Sequence, residues 1–347
     1  MPKSGGGSYD DAMLKYILKR LFISIFILFG VSLIIYTLVR LMPNDYIDLK
    51  YAEQLKSGAI TPEQIQQFKN MYGIGDNSFK GVIGGYFKWF SRLIQGDLGR
   101  SFKYEKPVAE VIGANMWISF AIAVVATILQ FLISIPLGIS SATHQYSVRD
   151  YTVTVFTMIG ISLPTYFFAA IVIKVFSVEL GWLPANGLIY ASKDYAETFA
   201  GEMEKFGDII EHLILPVTVS VILSIGGLMR YTRTNTLEVL NSDYIRTARA
   251  KGLSENKVIY RHAFRNTMIP LATLLAGILP SLFGGMMITE QVFGIDGIGR
   301  LAYQALREGD IPFVMGYNMF LAILTVIGTL FSDIMYSIVD PRVKLGK

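Results

Sequence analysis

Six long runs without a single charge decide what this chain can become. They cover residues 21–39, 117–143, 152–173, 213–229, 268–289 and 313–332. Crossing the hydrocarbon core of a bilayer takes about 20 mostly apolar residues. A buried helix of a soluble protein would carry a polar stripe at helical spacing, and these runs carry none. The reading is an all-α polytopic membrane protein with six transmembrane helices. Composition agrees: of 347 residues, 52% are hydrophobic and only 17% charged, where a soluble domain has about a quarter charged. The first run is too long for a signal peptide, and the residues after it, 40–45, are charged and proline-bearing rather than a small-residue cleavage site.

The basic residues set the orientation. With the N-terminus inside, the inner segments 1–20, 144–150, 230–266 and 340–347 hold sixteen Lys and Arg, and the short outer loops 179–212 and 290–312 hold four. Both termini are therefore expected in the cytoplasm. Residues 1–13 read as a flexible tail, 14–40 as the first transmembrane helix, 41–116 as a long extracytoplasmic loop, and 117–347 as a core of five further helices. Prolines 136, 164, 216, 270 and 280 interrupt four of the spans. Each removes a backbone hydrogen bond and bends the helix, either for packing or around a pathway.

The outer loop contains TPEQIQQFKNMYG, in which Thr61 is an expected N-cap, Pro62 the first helical residue and Gly73 the stop. Next comes GYFKWFSRLIQGDLGRSF, alternating aromatic and basic residues. It fits an amphipathic element at the membrane interface or a small cap packed on the bundle. The inner loop 230–266 carries eight basic and three acidic residues. Ser242 and Ser254 are expected caps of two short helices, with Gly252 turning between them in a left-handed conformation. That pattern suits a docking surface better than a plain anchor for lipid headgroups.

Catalytic signals are missing. There is no cysteine and no phosphate-cradling glycine-lysine loop. His144, His212 and His262 fall in different loops and read as surface residues, with no metal site. No catalytic residues are expected, and no nucleic acid as partner. Lys174, Arg230 and Glu290 stand at span ends, within reach of headgroups. Asp333 lies deeper in the last span, where an acid is a functional candidate or has a buried partner. A self-powered carrier needs several such groups and internal inverted repeats, so energy is expected from outside this chain.

The stretch YIRTARAKGLSENKVIYRHAFRNTMIPL, 244–271, closely resembles the coupling segment of permease subunits in binding-protein-dependent ABC importers, in particular the oligopeptide/dipeptide branch. Gly252 matches the glycine of that superfamily's signature and Ala248 one alanine, while Arg246 and Thr247 replace the Glu and first Ala. LKYILKRLFISIFILFGVSLIIYTLVRLMP, IQGDLGRSFKYEKPVAEVI, LGWLPANG, VFGIDGIGRLAYQAL and VDPRV resemble further motifs of the family, nearly along the whole chain, and those of its B-type permease. Asp296 stands where the family more often has proline, and 190–211 is longer and more acidic than expected.

The resemblance implies the permease of a bacterial or archaeal cytoplasmic membrane, forming half of a pathway for peptides. A C-type permease would pair with it, an extracytoplasmic binding protein would deliver substrate, and two ATPase subunits carrying ATP and Mg2+ would dock inside. This chain would hold no cofactor of its own and not be an enzyme. Tyr244, Arg246, Ala248, Arg249, Lys251, Gly252, Ser254 and His262 would carry the coupling to the ATPases. Gly96, Asp97, Leu98 and Gly99 form the outer-loop motif. The small and polar faces of the spans, Ser162, Thr165, Ser220, Ser224, Ser281 and Gly285, are expected to line the pathway or serve helix packing. Relatives of this branch also carry glutathione, nickel or oligosaccharides; a stand-alone secondary carrier is the more distant alternative.

Overall fold

The computed structural model describes residues 6–41, 51–52, 54–71, 78–276 and 278–339. Gly73 and the terminal VDPRV motif beyond Val339 lie outside these residues, as does the side chain of Asp333. Among the described residues the only β-pairing is an isolated bridge between Arg100 and Pro107. Among the described residues four helices are long and apolar enough to cross a membrane, and a bent pair makes a fifth candidate. The chain divides into two compact units, 1–117 with 301–347, and 118–300.

In the first unit, α1 (Gly6–Arg40) packs along the closing helix α13 (Ile311–Val339). Phe22, Ile25, Phe26, Ile34 and Leu38 of α1 remain exposed, as expected of a surface solvated by lipid rather than water. α2 (Pro62–Met71) starts as the sequence predicts: Thr61 Oγ1 accepts from the Gln64 amide and Gln64 Oε1 accepts from the Thr61 amide, a reciprocal capping box. α3 (Phe79–Ile94) is capped by Ser78. Its Tyr86 is buried among Phe29 and Tyr36 of α1 and its own Phe90, with the Tyr86 hydroxyl 2.8 Å from Ser32 Oγ. The opposite face leaves Phe79, Ile83, Phe87 and Ile94 exposed. The helix is therefore amphipathic in a double sense, aromatic against α1 and aliphatic-aromatic outward.

In the second unit, α4 (Val108–Thr143, entering from the first), α5 (Val148–Ser162) and α7 (Phe199–Leu240) form the frame. At 42 residues, α7 is about 63 Å long at 1.5 Å per residue, about twice the hydrocarbon thickness. The run 152–173 is broken at Leu163-Pro164, where α5 meets α6 (Thr165–Ile173) at 102°. Pro164 explains the break: the residue before a proline is driven out of the helical region, and Leu163 has ψ 129°.

After α7 comes α8 (Asp243–Ala250), then a turn through Glu255–Lys257 and a wide helical turn Val258–Ala263 into α9 (Phe264–Ala276). The run 268–289, expected as one span, is divided among α9, α10 (Leu279–Phe283) and α11 (Met287–Val292). Pro280 stands at the start of α10, and the Gly284-Gly285 pair, with Gly285 at φ +75°, ends it. The core of this unit gathers Ile122, Ala126, Ala169, Val172, Leu215, Val219, Phe293 and Ile295. α12 (Ile298–Arg307) leads to α13.

Candidate functional site: the inner loop and the carboxylate clamps

The loop after α7 is a small folded body. Ile245, Ala248, Val258 and Ala263 are buried together, with Val239, Leu240 and Leu253 packed around them. The helical spacing of Ile245 and Ala248 puts both on one face of α8, and the wide turn at 258–263 brings Val258 and Ala263 against it. Gly252 makes the reversal at φ +73°, with open space where a side chain would begin. Ser242 and Ser254 occupy the cap positions, but neither side chain caps; Ser242 Oγ donates to the Val239 carbonyl instead. Ala248 faces this internal core, not outward, so its small size serves the loop's own packing.

The rim of the loop is polar. Arg249 donates to Glu255 at 2.6 Å across the glycine turn, which holds the Glu255 carboxyl below its ordinary range and raises the Arg249 guanidinium. Tyr244 is exposed and its hydroxyl accepts from Asn266 Nδ2 at 2.8 Å. Arg246 reaches Asp243 at 3.6 Å. Lys251 is exposed and His262 half-buried. Seven of the eight residues expected to carry coupling thus ring an apolar centre, and Ala248 belongs to that centre.

The sequence reading missed a second feature beside this loop. Asp150, near the start of α5, is buried and accepts from Arg233 Nε and Nη2 of α7, both at 2.9 Å. Ser141 at the end of α4 donates to the same carboxylate, and the Tyr146 amide donates to it at 3.0 Å. One carboxylate therefore ties α4, the 144–147 turn, α5 and α7 together. The usable signal was Ser147 three residues before Asp150, a capping pattern; Arg233, in the basic stretch after the apolar run 213–229, carried none.

Glu290 corrects an expectation. It does not reach headgroups but is 1% exposed, because its carboxylate is consumed by groups of its own unit. Oε1 accepts from Ser119 Oγ (2.7 Å) and the Met286 amide (2.9 Å), and Oε2 from the Arg300 amide (2.9 Å). The Ile298 amide donates to Ser119 Oγ. A Cβ at Gly297 would sit 2.4 Å from the Glu290 carboxyl carbon, so the glycine in VFGIDGIGR admits the acid. Asp296, the departure from proline, pairs with Arg300 at 3.0 Å.

His212 is corrected too. It is buried, not on the surface, with Nδ1 2.7 Å from the Asp208 carbonyl and Tyr190 against its ring. Asp208 accepts from Lys193 (3.0 Å) and Tyr195 (2.6 Å). These contacts fold the long acidic stretch 190–211 onto the start of α7. Lys174, by contrast, is exposed and 3.7 Å from Glu179, and His144 is exposed.

The outer-loop motif lies in the first unit. Gly96 and Gly99 have φ +82° and +90°, and Asp97 accepts from the Gly99 amide. The segment 99–108 then folds back as a hairpin, with the Ser101 amide donating to the Lys106 carbonyl and Val108 to Gly99. Its anchor is Asp310, fully buried, which accepts from Ser101 Oγ and from the Phe102 and Lys103 amides (3.1 Å each), and also from the Phe313 amide at the start of α13. Lys103 reaches Glu308 and Gln304. Leu98 packs near Gly316 of α13.

The six residues expected along the pathway all lie in the second unit. Ser162, Ser220, Ser224 and Ser281 donate to carbonyls of their own helices. Thr165 opens α6 at the bend, and Gly285 lies against the Gly299 backbone.

Several helices long and apolar enough to cross a bilayer, among the described residues, mark a polytopic membrane protein. Residues 134–345 match the family model described as "binding-protein-dependent transport system inner membrane component". The chain belongs to that family. It is 38% identical over 333 residues to the oligopeptide transport system permease protein AppB of Bacillus subtilis (strain 168), covering 96% of this chain and all of the relative. It is 33% identical over 341 residues to the dipeptide transport system permease protein DppB of Alkalihalophilus pseudofirmus, at 96% and 100% coverage.

Proposed function

We propose that this chain is the half of an ATP-driven importer's translocation pathway through which peptides pass, paired with a second permease and energised by two separate ATPase subunits. An extracytoplasmic binding protein delivers the cargo, and ATP and Mg2+ act on the ATPases. Both termini and residues 242–266 face the cytoplasm of a bacterial or archaeal cell, and 41–116 faces outward. The peptide cargo is supported by the named transport activity of relatives aligned end to end.

The observation that carries the docking role is the inner loop itself. It has its own apolar core, so it moves as one piece, and it presents Tyr244, Arg249, Lys251 and Gly252 at its surface. A loop that only anchors lipid needs positive charge but no core. ATP binding closes the ATPase pair, and the loop passes the movement to α7 and α9, which it joins without a flexible linker. For coupling, the contacts must differ between the two states.

Reconstitution tests this. The complete complex in liposomes, with the binding protein and ATP, should accumulate a labelled peptide, and calorimetry on the binding protein should show peptide binding. Tight binding of a sugar oligomer in place of peptides overturns the cargo. Uptake by this chain alone, without ATP, overturns the importer. For the pathway, cysteine at Ser162, Thr165, Ser220, Ser224, Ser281 or Gly285 in the cysteine-free chain should react with a polar thiol reagent in a nucleotide-dependent way. Protection in every state removes that position from the lining.

A further inference from the structure

Between α5 and α7 lies a cavity of about 280 Å3. Its polarity is graded. One end is lined by Tyr146, Tyr151, Arg230 and Arg233, the other by Met158 and Ile161. The apolar end is closed by backbone: a Cβ at Gly226 would lie 2.6 Å from the Thr157 carbonyl, and one at Gly160 would lie 2.8 Å from that of Ile222. The cavity therefore does not run on as a channel. Met158 and Ile161 are themselves exposed, so the apolar end opens sideways.

The two arginines differ. Arg233 is neutralised by Asp150. Arg230, one turn earlier on α7, is exposed, and among the described residues its guanidinium has neither an ion-pair nor a hydrogen-bond partner. A planar fork of donors left open at the mouth of a cavity suits an anion with several oxygens. Tyr146 and Tyr151, both exposed, flank it as tyrosines do at the level of membrane headgroups.

We propose that this groove holds one anionic phospholipid of the inner leaflet, with its phosphodiester on Arg230 and its acyl chains leaving over Met158 and Ile161. Along the groove the charged and aromatic-polar residues share one end and the apolar residues the other, as headgroup and hydrocarbon do in a lipid. The volume is below the roughly 300–1,000 Å3 of pockets that enclose whole small ligands, so the groove suits part of a ligand whose remainder lies outside it. The bound lipid would brace α5 against α7 beside the Asp150 clamp. The leaflet assignment rests on the orientation proposed above; the groove chemistry does not.

The test uses the assembled transporter in nanodiscs of equal phosphatidylglycerol and phosphatidylcholine, followed by detergent extraction and native mass spectrometry of retained lipid. Wild type should keep phosphatidylglycerol in preference to phosphatidylcholine. Arg230→Gln, which breaks no hydrogen bond or ion pair among the described residues, should lower that retention about tenfold, while Lys19→Gln, which removes the same charge from an exposed site on α1, should not. Equal retention in wild type and Arg230→Gln overturns the site. An equal loss in Lys19→Gln overturns it as diffuse charge. Displacement of the lipid by inorganic phosphate or by a peptide with a free carboxylate assigns Arg230 to a soluble anion or to cargo, and also overturns it. Orientation is checked apart: a cysteine at Tyr146 should react with an impermeant thiol reagent from the inner side alone, and outer labelling sinks the leaflet assignment without touching the lipid result.

Discussion

The hairpin 99–108 and the inner loop 242–266 are both irregular segments beside long apolar helices, and they are held together in opposite ways. The hairpin has a charge at its centre. Asp310 is fully buried, and three backbone amides and one hydroxyl spend their donors on it. The inner loop has aliphatic side chains at its centre and its charges at the rim, where Arg249 and Glu255 are largely exposed. A buried carboxylate has high stakes, because losing it strands every donor pointed at it. An exposed ion pair contributes roughly 0–1 kcal/mol. The hairpin is held in one geometry by a buried charge, and the loop by an aliphatic centre that leaves its charged rim exposed.

The largest effect should come from Asp310→Ala. It leaves the buried Phe313 amide and the half-buried Phe102 and Lys103 amides without their acceptor, at a cost of about 3 kcal/mol. Thermal unfolding of the purified chain should shift sharply downward. A melting temperature equal to wild type would break the contrast with the inner loop.

Gly99→Val comes next. Its φ of +90° is ill-suited to a side chain, at about 1–2 kcal/mol, and a Cβ would already stand 3.5 Å from Pro312. Import should fall with the hairpin displaced. Normal transport and normal assembly would show that the motif tolerates another backbone path.

Gly252→Trp costs about 1 kcal/mol in backbone strain, and its Cβ meets nothing within 4 Å. Under the proposed function the folded chain should still pair with a second permease, yet a pull-down should lose the ATPases, or hydrolysis should run uncoupled from uptake. Wild-type values for both would make this loop a membrane anchor. Ala248→Arg sharpens the comparison: it puts a charge into the loop's core, so it should damage the loop's fold as well as docking, seen as faster proteolysis at 242–266.

The smallest effect belongs to Glu255→Gln. The Glu255 carboxyl is held below its ordinary range by Arg249, so the stabilisation is present above the unfolded carboxylate pKa and fades as pH falls through the folded value. Because both partners are exposed, the change in loop stability should be under about 1 kcal/mol. Hydrogen exchange at 249–256 should show it near neutral pH and lose the difference in acid. A large effect at neutral pH would place this pair in a buried interface.

The sequence by itself determined the material of the fold. Charge-free runs and the distribution of Lys and Arg are local properties of the chain, and they announce a membrane bundle whatever its packing. Thr61 took the expected N-cap position, answered by Gln64, and Gly99 and Gly252 took the positive φ their turns demand, because caps and turns are decided within a few residues. Tertiary structure decided where the charges went. Glu290 looked like a span-end acid because its partners Ser119 and Arg300 come from other elements. His212 looked exposed because Tyr190 and Asp208 close over it only when the acidic stretch folds back. Asp150 found Arg233 more than eighty residues away. In a medium without water each buried polar group must be met by another from the same protein, and which one it meets is a fact of three-dimensional packing that no local pattern encodes.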